Sequence, residues 1–186
     1  MKKYAYLILI VLVSFLPLYS LFYTTDLLHT HDGLVHLPRI AAFYKALSVG
    51  HFPVRWASDL NYGYGMPLFN FIYPLPYFVA SIFLHFGAGL VSAFKLSLAL
   101  SYLLSGVFMY LFAKELFQNP KKAFLVSIFY QFATFRFVEL LTRGSFGEVY
   151  TYTFLPLVLY AVFMLTKKRT PINFALTSAS TSLLIL

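Results

Sequence analysis

Long apolar runs separated by short charged clusters restrict this chain to one class of protein. The runs occupy residues 4–23, 91–113, 123–138, 150–166 and 172–186. An α-helix rises about 1.5 Å per residue, so roughly 20 apolar residues cross the core of a bilayer. Charged residues make up only 11% of the chain, against about 25% in an average soluble domain. The sequence therefore predicts an all-α, polytopic integral membrane protein with a single membrane domain.

Cysteine content and charge exclude several function classes. The chain has no Cys, which excludes thiolate metal sites, cysteine nucleophiles and disulfides. The net charge is +8, but the basic residues form short clusters between apolar runs. Topology signals are distributed in this way, so we expect the lipid bilayer as a partner and no nucleic acid.

The first and last apolar runs bear on the extent of the protein. Run 4–23 is followed by no small-residue cleavage site, so we expect a retained first helix rather than a signal peptide. Run 172–186 would be about 22 Å long as a helix, short of a bilayer core of about 30 Å. We therefore expect the chain to be the N-terminal part of a longer protein.

The basic clusters predict the topology. Three basic clusters mark the ends of the apolar runs: Lys2 with Lys3, residues 114–122 and residues 167–169. They lie on the same side of the membrane only if the apolar segment before residue 87 lies on the membrane surface and does not cross it. Basic residues favour the cytoplasmic side. We therefore expect a cytoplasmic N-terminus, a cell-membrane location, and an outer first loop, 24–90, with surface helices near 34–49 and 74–86. The short loop 139–149 then lies on the same outer face.

The first loop carries a candidate site in the sequence His-Asp-Gly-Leu-Val-His, residues 31–36. A carboxylate just outside a membrane can act as a general base or bind a metal. Asp32 is the candidate base, and a divalent metal held by Asp32, His31 or His36 is an open alternative, with no cofactor assigned. A structural alternative is that Asp32 caps the helix that begins near residue 34.

Two further segments are candidate binding sites. Arg143 and Glu148 flank a glycine-containing loop that fits an anionic or sugar ligand, or is an ordinary interhelical loop. Segment 61–77, which contains Tyr64 and Tyr73, suits packing on lipid headgroups or on a polyprenyl chain, or a plain aromatic belt. Lys95 either extends toward the interface or binds a lipid phosphate.

These segments, in this order, resemble a known family. The loop HDGLVH, the segment YGYGMPLFNFIYPLPYF and the segment RGSFGEVYTYTFLPLVLY are similar to bacterial 6-pyruvoyl-tetrahydropterin synthase-related membrane domains. More distantly, the chain resembles the GT-C class of polytopic glycosyltransferases. The family name carries no chemistry here, because a pterin synthase of that kind is a soluble zinc enzyme with a catalytic Cys.

The resemblance implies a catalytic base in the first outer loop and a polyprenyl-phosphate-linked sugar as donor. Asp32 matches the base, and Glu148 matches a second acidic residue in the next outer loop, with Glu139 in reserve. GT-C enzymes show a paired acidic motif where this chain has Asp32-Gly33, which weakens the case for a metal.

The residues and the resemblance together predict a glycosyltransferase acting at the outer face of the cytoplasmic membrane. His36, Arg39, Lys95, Arg143, Tyr64 and Tyr73 are the candidate substrate-binding residues. The alternative is a non-catalytic protein, either a scaffold for envelope polysaccharide assembly or a transporter. Spans that are almost free of charge disfavour the transporter. The oligomeric state stays undetermined.

Overall fold

The computed structural model describes residues 2–186, and the side chains of residues 2–4, which include Lys2 and Lys3 of the topology argument, lie outside that description. The helices are α1 Lys2–Phe22, α2 Gly33–Ser48, α3 Leu75–His85, α4 Leu90–Phe117, α5 Pro120–Gln131, α6 Thr134–Phe137, α7 Phe146–Lys167 and α8 Pro171–Ile185. A 3-10 turn, Leu68–Asn70, precedes α3, and a π-helical segment, Val138–Arg143, continues α6. Residues 2–186 contain no β-strand, which confirms the predicted all-α class.

Three of these helices are long and apolar enough to cross a membrane, as predicted for a membrane protein. They are α1, whose apolar stretch is Ala5–Phe22, and the whole of α4 and of α7. Helix α4 runs from Leu90 to Phe117 and is longer than the predicted run 91–113. Helix α3 has 11 residues, or about 16 Å, which is too short to cross a bilayer core.

The predicted span 123–138 is not one continuous helix in the structure. Its residues belong to α5 and to a second helical unit, Thr134–Arg143, which are bent by 50° relative to each other. Only the two parts together are long and apolar enough to cross a membrane. No Pro or Gly stands at the break, so the sequence gives no local signal for it.

Side chains at the helix starts explain where α5 and α8 begin. Asn119 Oδ1 accepts hydrogen bonds from the backbone N–H groups of Lys121 (3.0 Å) and Lys122 (3.2 Å), and Pro120 is the first residue of α5. Thr170 Oγ1 likewise accepts from Asn173 N at 3.3 Å. A capping side chain followed by Pro is a strong helix-start signal, because it satisfies free N–H groups and fixes φ.

The two ends of the helix bundle differ in charge. Lys167 Nζ lies 3.2 Å from Glu115 Oε2, so the C-terminal ends of α4 and α7 meet. Tyr6 in the first half of α1 contacts Phe124 near the start of α5, with ring centroids 5.7 Å apart. We call this the basic end, since it carries Lys114, Lys121, Lys122, Lys167, Lys168 and Arg169. The opposite end carries Asp32, Glu139 and Glu148 and is called the acidic end.

An aromatic core fills the bundle beneath the acidic end. Tyr77 of α3 is fully buried, and its ring lies 5.5 Å from that of Phe146 at the start of α7. Phe94 of α4 and Phe69 of the 3-10 turn complete the packing around them. Aromatic side chains bury large areas and give strong packing. This core therefore fixes α2, α3 and the loops of the acidic end against α4 and α7.

Candidate functional site

Backbone hydrogen bonds join the two loops of the acidic end. The N–H of His31 donates to the carbonyl of Thr142 (3.1 Å), and the N–H of Asp32 donates to the carbonyl of Arg143 (2.9 Å). Gly144 has φ +64°, and a Cβ there would lie 2.8 Å from Thr30 Oγ1. Glycine is needed at this position because a larger residue would be strained and would push the loops apart.

Three carboxylates surround the guanidinium of Arg143. Arg143 Nη1 donates to Glu139 Oε1 at 3.0 Å and also to Glu148, while Nη2 lies 4.0 Å from Asp32 Oδ2. The side chain of Glu139 is fully buried, whereas those of Asp32 and Glu148 are 38% and 42% exposed. The structure thus brings together Asp32, Arg143 and Glu148, and it adds Glu139 behind them.

Asp32 is not a side-chain cap of α2. It occupies the N-cap position, but its carboxylate makes no capping hydrogen bond. Thr30 Oγ1 accepts from the backbone N–H of Gly33 instead, at 3.1 Å. Because Thr30 performs the capping, the structural alternative for the Asp32 carboxylate lacks the contact it requires.

A cavity of about 400 Å³ lies over these side chains; its lining is about half apolar, and it is called the polar cavity here because charged side chains line it. Its lining includes Asp32, Arg143 and Glu148 together with the hydroxyl residues Tyr73, Ser145 and Thr151. An apolar groove of about 820 Å³ adjoins it and is lined largely by aromatic and aliphatic side chains, including Phe43, Phe52, Phe69, Phe71, Ile72 and Phe78. Tyr73, Leu75, Ile185 and Leu186 line both. A polar pocket therefore stands directly beside a larger apolar one.

Tyr73 stands at the junction of the two. Its ring packs so closely on Gly147 that a Cβ on that glycine would overlap the ring. Burial raises the pKa of the Tyr73 hydroxyl above its usual value. The hydroxyl therefore stays protonated at neutral pH and remains a hydrogen-bond donor.

The structure does not bring together the candidate metal ligands. His36 is buried, and its Nδ1 is hydrogen bonded to the Tyr77 hydroxyl at 2.9 Å. Burial lowers the pKa of His36 to about 4, with a smaller contribution from the charge of Arg39. His31 is exposed. Within residues 2–186, no group of three or more His, Asp or Glu side chains is arranged to hold a metal ion.

Four predicted substrate-binding residues lie outside both the cavity and the groove: the buried His36, Arg39, Lys95 and Tyr64. Lys95 is buried, and its ammonium donates to the carbonyls of Thr24 (2.8 Å) and Asp26 (2.6 Å). The ammonium thus holds the chain segment that follows α1. Tyr64 is 84% exposed at the tip of a turn, and Arg39 lies on α2 close to His36.

Sequence reasoning missed two polar residues of the cavity lining and underrated the buried Glu139 behind it. Ser145 and Thr151 line the cavity, and Thr151 follows Glu148 by three positions on α7, a spacing that puts both on one helix face. Glu139 was only a reserve candidate. The i,i+4 spacing of Glu139 and Arg143 was a readable signal for their ion pair.

Comparison of the chain with protein-family models, with curated proteins and with solved structures gives no match.

Proposed function

We propose that this chain forms the catalytic end of a membrane glycosyltransferase that takes its sugar from a polyprenyl-phosphate carrier. The observation that supports the proposal most is the contact between the polar cavity and the apolar groove at Tyr73 and Leu75. Such a donor has a polar sugar phosphate joined to a long hydrocarbon. A carboxylate-lined pocket beside an aromatic groove has complementary chemistry to both parts.

In this proposal Asp32 is the general base, and its surroundings support that role. Its carboxylate is part-exposed in the cavity and is not engaged in helix capping. In the proposed step Asp32 accepts the proton of the acceptor hydroxyl while the acceptor oxygen bonds to the anomeric carbon. The bond between that carbon and the phosphate oxygen breaks, and polyprenyl phosphate leaves with the electron pair.

Arg143 has two roles in this proposal. Its guanidinium donates to Glu148 and lies close to Asp32, so it holds the two carboxylates near each other. Among residues 2–186 it is also the one cation in the cavity lining, and in this proposal it stabilises the charge that develops on the leaving phosphate. Of the three cations predicted to contact the phosphate, Arg143 alone lines the cavity.

Transport is a second candidate, and one observation favours it. The sequence disfavoured a transporter because its spans are almost free of charge, but α5 and α6 form a bent pair with the buried Arg136 next to the break. Broken helices and buried charges at membrane depth are common at transporter sites.

One assay separates the two candidates. The full-length protein is reconstituted into sealed vesicles containing a short-chain polyprenyl-phosphate monosaccharide labelled in the sugar, with an envelope extract as acceptor. We expect label to move to the acceptor and free polyprenyl phosphate to appear, while empty vesicles leave the donor intact. Intact donor that changes sides of the bilayer would refute the enzyme and favour the transporter.

A further inference from the structure

Arg136 lies in the interior of the helix bundle without a carboxylate partner among residues 2–186. Only 3% of the residue is exposed. Its Nη2 donates to Ser105 Oγ at 2.6 Å, whereas Nε and Nη1 make no hydrogen bond within the described chain. A buried charge in this state is costly unless other contacts compensate.

Three tyrosine rings supply those contacts. The guanidinium carbon lies 5.1 Å from the ring centre of Tyr102, 5.4 Å from that of Tyr130 and 4.7 Å from that of Tyr152. The rings belong to α4, α5 and α7. Cation–π contacts strengthen when they are desolvated, so this cage ties α6 to three other helices at once.

The same tyrosines stabilise the break between α5 and α6. The Tyr102 hydroxyl donates to the carbonyl of Gln131, the last residue of α5, at 2.7 Å. The Tyr130 hydroxyl donates to the carbonyl of Tyr152 at 2.7 Å. Gln131 is fully buried and exchanges hydrogen bonds with Ser14 of α1. A break within a span is tolerated where neighbouring groups satisfy the freed backbone, and Tyr102 does so for the carbonyl of Gln131.

The break also determines where the next residues lie. The π-helical segment Val138–Arg143 follows α6 directly. It carries Glu139 and Arg143 to the acidic end, where the N–H of Gly144 donates to the carbonyl of Glu139 at 2.9 Å. A change in the direction of α6 would displace both side chains together.

We propose that Arg136 is a positioning residue: its tyrosine cage fixes the bend between α5 and α6 and so places Glu139 and Arg143 against Asp32 and Glu148. That these side chains are placed for catalysis rests on the proposed function, but their placement can be measured without any substrate. Arg136 does not line the cavity, so it acts only through the segment that follows it.

Cross-linking in this Cys-free chain tests the proposal. One Cys pair, His31→Cys with Thr142→Cys, reports the junction of the two acidic-end loops, whose backbones are hydrogen bonded there. A second pair, Glu115→Cys with Lys167→Cys, reports the basic end. Each pair is treated with a short bis-methanethiosulfonate, and the rate is measured in the full-length protein in vesicles.

Two sets of variants separate a local effect from loss of folding. Arg136→Met removes the cation, and we expect the acidic-end rate to fall about tenfold, the equivalent of one desolvated cation–π cage. Tyr152→Leu removes one ring and should give a smaller fall, whereas Tyr152→Phe keeps the ring and should give none. The basic-end rate should stay unchanged throughout.

Two results would overturn the proposal. An acidic-end rate that is the same in Arg136→Met as in the parent shows that the cage does not position this end. If Arg136→Met fails to fold, the Tyr152 variants decide: equal rates for the Leu and Phe variants, or equal losses at both ends, exclude a positioning role. Because no donor is present, failure of the glycosyltransferase proposal leaves the cross-linking result unaffected.

Discussion

Asp32 is held to Arg143 by two contacts of different kinds. The backbone N–H of Asp32 donates to the carbonyl of Arg143 at 2.9 Å, and the Asp32 carboxylate lies 4.0 Å from the Arg143 guanidinium. The first contact fixes the loop. The backbone of Asp32 is therefore fixed, while its part-exposed carboxylate lies near the guanidinium without a direct hydrogen bond to it.

The charge difference between the two ends predicts their sides of the membrane. We expect the basic end to face the cytoplasm and the acidic end to face outward. Both Lys121 and His29 are exposed, at the basic end and in the first loop respectively. In intact cells, His29→Cys should react with an impermeant maleimide, and Lys121→Cys should react only after permeabilisation. The reverse pattern would contradict the predicted topology.

We expect the protein to lose stability on acidification because the pKa of His36 is low in the folded chain. Its pKa is about 4 in the folded chain and about 6.5 when unfolded. As the pH falls below about 6.5 the unfolded state gains a proton that the folded state refuses, so stability declines until the pH passes below about 4. At about pH 4.5 the loss should be roughly 2 to 3 kcal/mol relative to neutral pH.

Denaturant unfolding in detergent micelles measures this loss. The control is His36→Gln, which can still hydrogen bond to Tyr77 and does not titrate. The difference between the parent and this variant isolates the histidine from the carboxylates that also titrate. A parent and a variant that lose equal stability between neutral pH and about pH 4.5 would rule out the assigned role of His36.

Substitution by Met should lower the stability of the protein more at Lys95 than at Lys45. Lys95 is buried and holds the carbonyls of Thr24 and Asp26, whereas Lys45 pairs with Asp59 at the surface, where both side chains are more than half exposed. Lys95→Met should lower the unfolding free energy by roughly 1 to 3 kcal/mol, because it removes two charge-assisted hydrogen bonds and leaves only the Thr24 hydroxyl, at 3.3 Å, as a side-chain donor to the Asp26 carbonyl. Lys45→Met should cost less than about 1 kcal/mol.

The same denaturant unfolding assay measures the stability of the Lys95→Met and Lys45→Met variants. Lys95→Met should leave the affinity for a polyprenyl-phosphate sugar unchanged, since Lys95 does not line the cavity. A variant with parental stability and weakened donor binding would return Lys95 to the phosphate-binding role that the sequence predicted.

Local patterns predicted the helical class because apolar runs and caps are readable within a few residues. Asn119-Pro120 and Thr170-Pro171 start helices by contacts that are local in sequence. The break after Gln131 was not predictable in this way, because the groups that satisfy it, Tyr102 and Ser14, come from other helices.

The candidate site shows the same division. Charge sorting predicted that Asp32 and Glu148 share one end, and both do contact Arg143. The burial of Lys95 depends on the carbonyls after α1, which no pattern around Lys95 reveals. The polyprenyl-phosphate donor stays a prediction.

Sugar transfer by Asp32→Asn tests the central claim most directly. Asn keeps the size of Asp and cannot accept a proton, and Thr30 rather than Asp32 makes the capping hydrogen bond of α2. We therefore expect the full-length variant to fold and insert normally while sugar transfer from a polyprenyl-phosphate donor falls roughly 100-fold to 10,000-fold. Asp26→Asn, the control in the same loop, should keep parental activity. Parental activity in Asp32→Asn would contradict the account.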